Sequence, residues 1–141
     1  KMASGAVATF EASRLSTGCK NANRLEIHGE KGAIRFNFER MNELDWYDAT
    51  LPAELQGWNT INVTDGNANH PYAASWWPAA HILGYEHSFI NQAADMLTVI
   101  GGGEPVVPLA DFADAYEVQK VLSAVVESDK QRSPVPLDQV Q

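Results

Sequence analysis

Trp76-Trp77-Pro78-Ala79-Ala80-His81-Ile82-Leu83-Gly84-Tyr85-Glu86-His87-Ser88-Phe89 runs without interruption into Ile90-Asn91-Gln92-Ala93-Ala94-Asp95-Met96-Leu97-Thr98-Val99-Ile100-Gly101-Gly102-Gly103. A loop rich in aromatics and histidine passes directly into an apolar helix, and glycines end it. The sequence before Trp76 reads as strands and the sequence after Gly103 as one more helix and a short tail. The stretch therefore joins a sheet to helices. It also holds two of the four tryptophans and two of the four histidines, which makes it the first place to look for a small-molecule site.

Upstream, residues 5–14 alternate: Ala6, Ala8, Phe10 and Ala12 fall on one face, Val7, Thr9, Glu11 and Ser13 on the other. A period of two predicts a strand. A polar loop over 15–22 follows. Leu25 and Ile27 alternate with Arg24, Glu26 and His28, and Ile34, Phe36 and Phe38 alternate with Arg35, Asn37 and Glu39. Gly29-Glu30-Lys31-Gly32 between them reads as a hairpin turn whose glycines supply unusual backbone angles. Further strands are expected at 43–48, with Leu44 and Trp46 facing in, and at 58–64. Asp65 to Ser75 reads as a long polar loop, of a length that is often functional.

Downstream, Tyr85, Phe89, Ala93, Met96, Leu97 and Val99 recur at three- and four-residue spacings, predicting a helix over 84–100. Pro105 and Pro108 mark a connection. A second helix is expected over 109–129, with Asp111 and Asp114 placed to suit its positive end and Lys130 and Arg132 its negative end. Residues 133–137 read as a proline-containing extended tail, a candidate edge strand. Strands followed by helices give an α+β class: an open, mostly antiparallel sheet with helices packed on one face, forming a single domain over 1–141.

Composition narrows the functions. Of the 141 residues, 45% are hydrophobic and 20% charged, which describes a globular chain. A net charge of -8 argues against general nucleic-acid binding, which needs a basic face, and against an anionic membrane surface. No apolar run approaches the roughly 18 residues that cross a bilayer, and no signal peptide opens the sequence, so a cytoplasmic location is expected. The single Cys19 excludes an intrachain disulfide, and it has neither a histidine nor a second cysteine nearby to make it a nucleophile. A start at Lys-Met-Ala-Ser-Gly, almost directly into strand-like sequence, suggests a true beginning further upstream or an artificially chosen boundary.

No strand here is followed by a glycine-rich loop opening a helix, and there is no Walker A loop. Gly101 to Gly103 follow a helix and stop it. His81 and His87, six apart and interleaved with Tyr85 and Glu86, lack the spacing of a metal pair on one helix face. They suit polar recognition of a hydroxylated small molecule better, with Trp76 or Trp77 as a flat apolar wall. Two plainer readings stand beside this one: the tryptophans pack the loop onto the sheet, and His87 caps the helix. Asp45 and Asp48 form a possible carboxylate pair, read more simply as an exposed acidic strand edge. A second sheet face carrying Val7, Thr9 and Tyr47 is a candidate subunit interface.

Gly5-Ala-Val-Ala-Thr-Phe-Glu-Ala-Ser-Arg14, Leu25-Glu-Ile-His-Gly-Glu-Lys-Gly-Ala-Ile-Arg-Phe36 and Gly84-Tyr-Glu-His-Ser-Phe89 together resemble the C-terminal domain of the glucose–fructose oxidoreductase / inositol dehydrogenase / rhizopine-catabolism (Gfo/Idh/MocA) family. The resemblance covers nearly the whole chain. It implies an NAD(P)-dependent dehydrogenase of a sugar, inositol or related polyol. In that family this domain lines the substrate pocket and builds a homo-oligomer through the free face of its sheet. The family's Rossmann domain, its Glu-Lys-Pro motif and its catalytic Asp and His would all lie upstream of Lys1; Glu30-Lys31-Gly32 is a turn and not that motif. The resemblance thus implies no catalytic, cofactor-binding or metal residue here. It leaves His81, Tyr85, His87, Trp76 and Trp77 as substrate-binding candidates, NAD or NADP as a cofactor of the parent protein only, and no turnover by this chain alone. Two alternatives stay open: a stand-alone interaction module, and a small-ligand binding domain without catalysis.

Overall fold

The computed structural model of the chain describes residues 2–65 and 70–140. It consists of two compact units, Lys1–Leu83 and Gly84–Gln141. The first is an antiparallel sheet of β1 (Arg24–Gly29), β2 (Gly32–Asn37), β3 (Glu43–Asp48) and β4 (Trp58–Asn62), in spatial order β1-β2-β3-β4. The second holds α1 (Tyr85–Ile100) and α2 (Phe112–Gln131). An open antiparallel sheet with two helices is the α+β class that the hydrophobic periods predict.

Register follows from the alternation. Leu25 faces Phe36, Ile27 faces Ile34, Ile34 faces Trp46 and Leu44 faces Ile61, so the large apolar side chains share one face. The other face carries a polar row in which Glu26 opposes Arg35, Arg35 opposes Asp45 and Asp45 opposes Thr60. Arg35 Nε donates to Asp45 Oδ2 at 2.8 Å, and Thr60 Oγ1 donates to Asp45 Oδ1 at 2.7 Å. The Arg35 guanidinium lies 4.1 Å from the centre of the Trp58 ring, which packs 5.7 Å from Tyr47. Cross-strand pairs of this kind fix strand order as well as register.

In the second unit, His87 Nδ1 accepts the Gly84 N–H at 3.0 Å and so caps the start of α1. The helix ends in a Schellman motif: Gly102 is left-handed (φ 82), Gly102 N–H reaches Val99 O at 3.0 Å and Gly103 N–H reaches Thr98 O at 2.9 Å. Buried Asp95 then accepts the Val106 N–H at 3.0 Å, folding the connection back onto α1. The side chain of Asp111 accepts from Ala113 and Asp114, while that of Asp114 accepts from the Asp111 N–H, a reciprocal cap that starts α2 at Phe112 and not at Leu109.

Four expectations are corrected. Residues 5–14 join no ladder; Phe10 is 86% exposed, and alternation without a neighbouring edge leaves an extended segment and not a strand. Val7 and Thr9 therefore lie on no sheet face, whereas Tyr47 does. The tail forms a 3-10 turn over Leu137–Gln139 in place of an edge strand. Gly29 and Gly32 are not among the residues with positive φ; Gly32 is needed because a Cβ there would run into the Tyr47 carbonyl oxygen on β3. Of the expected 65–75 loop, 66–69 lies outside the described residues, and β4 ends at Asn62 and not at residue 64.

Hydrogen bonds from Arg35 and Thr60 hold the Asp45 carboxyl below the ordinary 3.8 of an aspartate. A depressed folded value means that Asp45 adds stability above about pH 3.8, and that this is lost as pH falls through the lower folded value. Asp45→Asn should therefore lower the urea midpoint at neutral pH, with the gap to the parent chain closing in acid. A gap that stays constant across that range would contradict the assignment.

Candidate functional site

The loop from Trp76 to Leu83 is tied to strand ends at its close and in its middle, and to the preceding 3-10 turn (Ala73–Ser75) at its start. At its end, the Asn42 side-chain amide, just before β3, makes both backbone hydrogen bonds of Leu83: Asn42 Nδ2 donates to Leu83 O at 2.9 Å, and Leu83 N–H donates to Asn42 Oδ1 at 2.8 Å. In its middle, Ala80 N–H donates to Thr64 O at 3.1 Å, just past β4. At its start, Trp76 and Trp77 N–H groups both reach Ala73 O, at 3.1 and 3.4 Å. These anchors are among the least exposed residues of the chain: Thr64 at 3%, Leu83 at 6% and Ala73 at 9%.

Ala80 adopts the left-handed region (φ 64), unusual for a residue with a Cβ. Such a conformation costs of order 1 kcal/mol and persists only where surrounding bonds over-determine it. Here the Thr64 and Asn42 anchors do so on either side. The turn aims His81 next to it. His81 Nδ1 lies 3.1 Å from both Pro78 O and Ala79 O. Carbonyl oxygens only accept, so Nδ1 donates to them, which in the neutral ring leaves Nε2 as an acceptor.

Other histidines take the opposite polarity. His70 Nδ1 accepts from the Tyr72 and Ala73 N–H groups, both at 3.2 Å, which leaves the neutral ring's proton on Nε2. His87 Nδ1 likewise accepts, from Gly84, so the 3.5 Å approach of the same atom to Glu86 Oε1 is not the geometry of an ion pair. Its side chain is only 12% exposed.

The residues singled out from the sequence thus fall into two groups. Trp76, half-buried, Trp77, 51% exposed, and exposed His81 share the anchored loop of the first unit. Tyr85 and His87 stand in the first turn of α1, where the Tyr85 ring meets Phe89 edge-on at 4.9 Å and His87 is a cap. Asp45 and Asp48 do not pair: they point to opposite sheet faces, and Asp48 accepts from the Thr50 N–H and hydroxyl at 2.8 and 2.6 Å.

Asn42, Thr64 and His70 carry no motif, and sequence reasoning did not find them. Only the fold brings their polar atoms against the loop's backbone. A hollow of about 350 Å3 lined by Leu44, Ile61, Val63, Asp65 and His70 sits beside this region. A second, of about 390 Å3, lies along the polar sheet face, where Arg35 pairs with Asp45 and Arg40 with Glu43. Among the described residues no His, Cys, Asp and Glu cluster could hold a metal, and no helix is long and apolar enough to cross a membrane.

Asn42→Ala removes two part-buried hydrogen bonds and strands the Leu83 amide, so a loss of about 1–3 kcal/mol is expected in urea denaturation. Asn42→Asp should not restore it, because a carboxylate would face the Leu83 carbonyl. An unchanged midpoint in both variants would show that the clamp does not hold the loop.

Comparison with known proteins agrees with this architecture. Residues 1–137 match the family described as "Oxidoreductase family, C-terminal alpha/beta domain". The chain is 38% identical over 141 residues to levoglucosan dehydrogenase of Pseudarthrobacter phenanthrenivorans, covering 99% of this chain and 35% of that protein. An oxidoreductase domain protein from Kribbella flavida superposes with a TM-score of 0.77 at 47% identity, over 86% of this chain and 30% of the other. A levoglucosan dehydrogenase in complex with NADH and levoglucosan superposes with a TM-score of 0.81 at 37% identity, over 94% and 35%. The chain spans about a third of the length of these relatives. Sheet, helices and matched span together identify it as a member of the Gfo/Idh/MocA oxidoreductase family, corresponding to that family's C-terminal α/β domain.

Proposed function

We propose that this chain is the substrate-binding and subunit-docking domain of an NAD(P)-dependent dehydrogenase acting on a sugar, inositol or related polyol. The observation that carries the reading is the anchored loop with its aromatic wall and fixed imidazole acceptor. A sugar ring needs a flat apolar surface for its C–H face and directional polar atoms for its hydroxyls. In this reading Trp76 and Trp77 supply the first and His81 the second. The levoglucosan dehydrogenase similar to this chain, with NADH and levoglucosan in its solved complex, supports the chemistry.

The described residues do not fit a dinucleotide. The sheet is antiparallel, and the glycines at 101–103 close a helix and open none. In this reading the cofactor, which supplies hydride transfer, is held by residues outside this chain. What this chain contributes is orientation: a wall against one face of the ring and an acceptor for one hydroxyl, set on a loop that needs little reorganisation on binding.

The polar sheet face suits a second copy of the chain. Arg35 pairs there with Asp45 and Arg40 with Glu43, which offsets part of the acidic charge, and Trp58 and Tyr47 offer the aromatic area that anchors interfaces. The full-length protein should reduce NAD(P)+ in the presence of levoglucosan, glucose or myo-inositol, and should be larger than a monomer by light scattering. Trp58→Glu should shift it toward monomer, while Trp77→Ala should raise KM for the sugar about tenfold or more. Absence of reduction with every polyol tried would refute the dehydrogenase reading.

A further inference from the structure

We propose that His70 is a proton-operated latch: its neutral ring holds the turn that anchors Trp76 and Trp77, and uptake of a proton releases that end of the loop. The device is read from the sheet unit alone and does not rest on the dehydrogenase reading.

The geometry is that of a cap. The first N–H groups of a helical turn have no acceptor within it. At the head of the 3-10 turn Ala73–Ser75, the Tyr72 and Ala73 N–H groups both donate to His70 Nδ1, at 3.2 Å each. Tyr72, at the N-cap, makes no side-chain cap bond of its own. Buried Ala73 then offers its carbonyl oxygen to the Trp76 and Trp77 N–H groups. One imidazole nitrogen therefore heads the chain of bonds that ends at the two tryptophans. A backbone N–H only donates, so Nδ1 must carry a lone pair. Helix caps are ordinarily Ser, Thr, Asn or Asp, whose oxygens still accept in mild acid. Imidazole ordinarily changes charge between about pH 5 and 8, and both nitrogens of its charged form are donors. Once charged, the His70 ring faces two N–H groups with an N–H of its own.

The surroundings decide how far the release spreads. His70 is half-buried and lines a hollow with Leu44 of β3 and with Ile61, Asn62 and Val63 at the end of β4. Among the described residues of that lining, Asp65 is the other titratable group, and its carboxylate gives the charged ring a partner. From the turn itself, the Tyr72 ring meets His70 edge-on at 6.3 Å. The remaining anchors of the loop do not titrate: the Thr64 carbonyl holds Ala80, and the Asn42 side-chain amide holds Leu83. Protonation thus frees the tryptophan end and leaves the Ala80–Leu83 end bound to the strand ends. His87 also accepts a backbone N–H, from Gly84, but that bond belongs to the start of α1, beyond the loop.

The test is amide hydrogen exchange of the full-length protein at about pH 8 and about pH 5, expressed as protection factors so that the intrinsic pH dependence of exchange divides out. The Trp76 and Trp77 amides should lose protection about tenfold or more in acid, while the Leu83 amide keeps its own. His70→Asn, whose Oδ1 accepts at the same reach and does not titrate, should keep the neutral-pH protection and abolish the loss. His70→Ala should show the low value at both pH values. Equal protection of Trp76 and Trp77 at the two pH values in the parent protein, an equal fall in His70→Asn, or a loss shared by Leu83 overturns the proposal. Nitrogen-15 chemical shifts of the His70 ring check it without a substitution: the neutral ring should carry its proton on Nε2 and titrate together with the protection of Trp76 and Trp77. A proton on Nδ1 of the neutral ring overturns it.

Discussion

A single side-chain amide does for Leu83 what a neighbouring strand does for a sheet residue. Asn42 offers a donor and an acceptor in the spacing of a peptide group, and Leu83 uses both, at 2.9 and 2.8 Å. Leu83 closes the sheet unit, so the loop ahead of it has a fixed end. Thr64 supplies a second fixed point at Ala80 and Ala73 a third at the tryptophans. Buried backbone groups must find partners. Here they find them at the ends of β3 and β4, so the positions of the loop and of these strand ends are set together. The left-handed Ala80, the orientation of His81 and the display of Trp77 all depend on that arrangement.

The two faces of the sheet divide the remaining work by chemistry. One collects Leu25, Ile27, Ile34, Phe36, Leu44, Trp46 and Ile61, because antiparallel register places every second residue together. The other carries the Arg35–Asp45–Thr60 row and the Trp58–Tyr47 pair. An exposed ion pair in isolation adds little stability. Here Arg35 and Arg40 each neutralise a carboxylate on a strongly acidic chain.

How much of this was legible in the sequence follows from how local each cause is. The hairpin, β3, β4, both helices and the glycine stop at 101–103 were readable because period two, period 3.6 and left-handed glycine are properties of neighbouring residues. Residues 5–14 show the limit of periodicity: alternation reports a preference for extended backbone, but a strand exists only where an edge accepts it. Gly32 shows another limit, since its glycine answers to the Tyr47 carbonyl on β3 and not to its own dihedrals. The histidines looked alike in sequence and differ in the fold, Nδ1 donating in His81 and accepting in His70 and His87. No spacing rule predicts that, because the partners are backbone groups. Asn42 and Thr64 were illegible for the same reason: a residue that serves another segment's backbone leaves no pattern in its own.

The physical claim beneath the rest is that the Trp76–Leu83 loop opens only when the sheet opens. Native-state amide hydrogen exchange measures it directly, residue by residue. The amides of Ala80 and Leu83 should exchange with the same opening free energy as ladder amides in β3. Exchange as fast as that of the unpaired 5–14 segment would mean that the clamp does not hold, and that the loop is not the prebuilt wall described here.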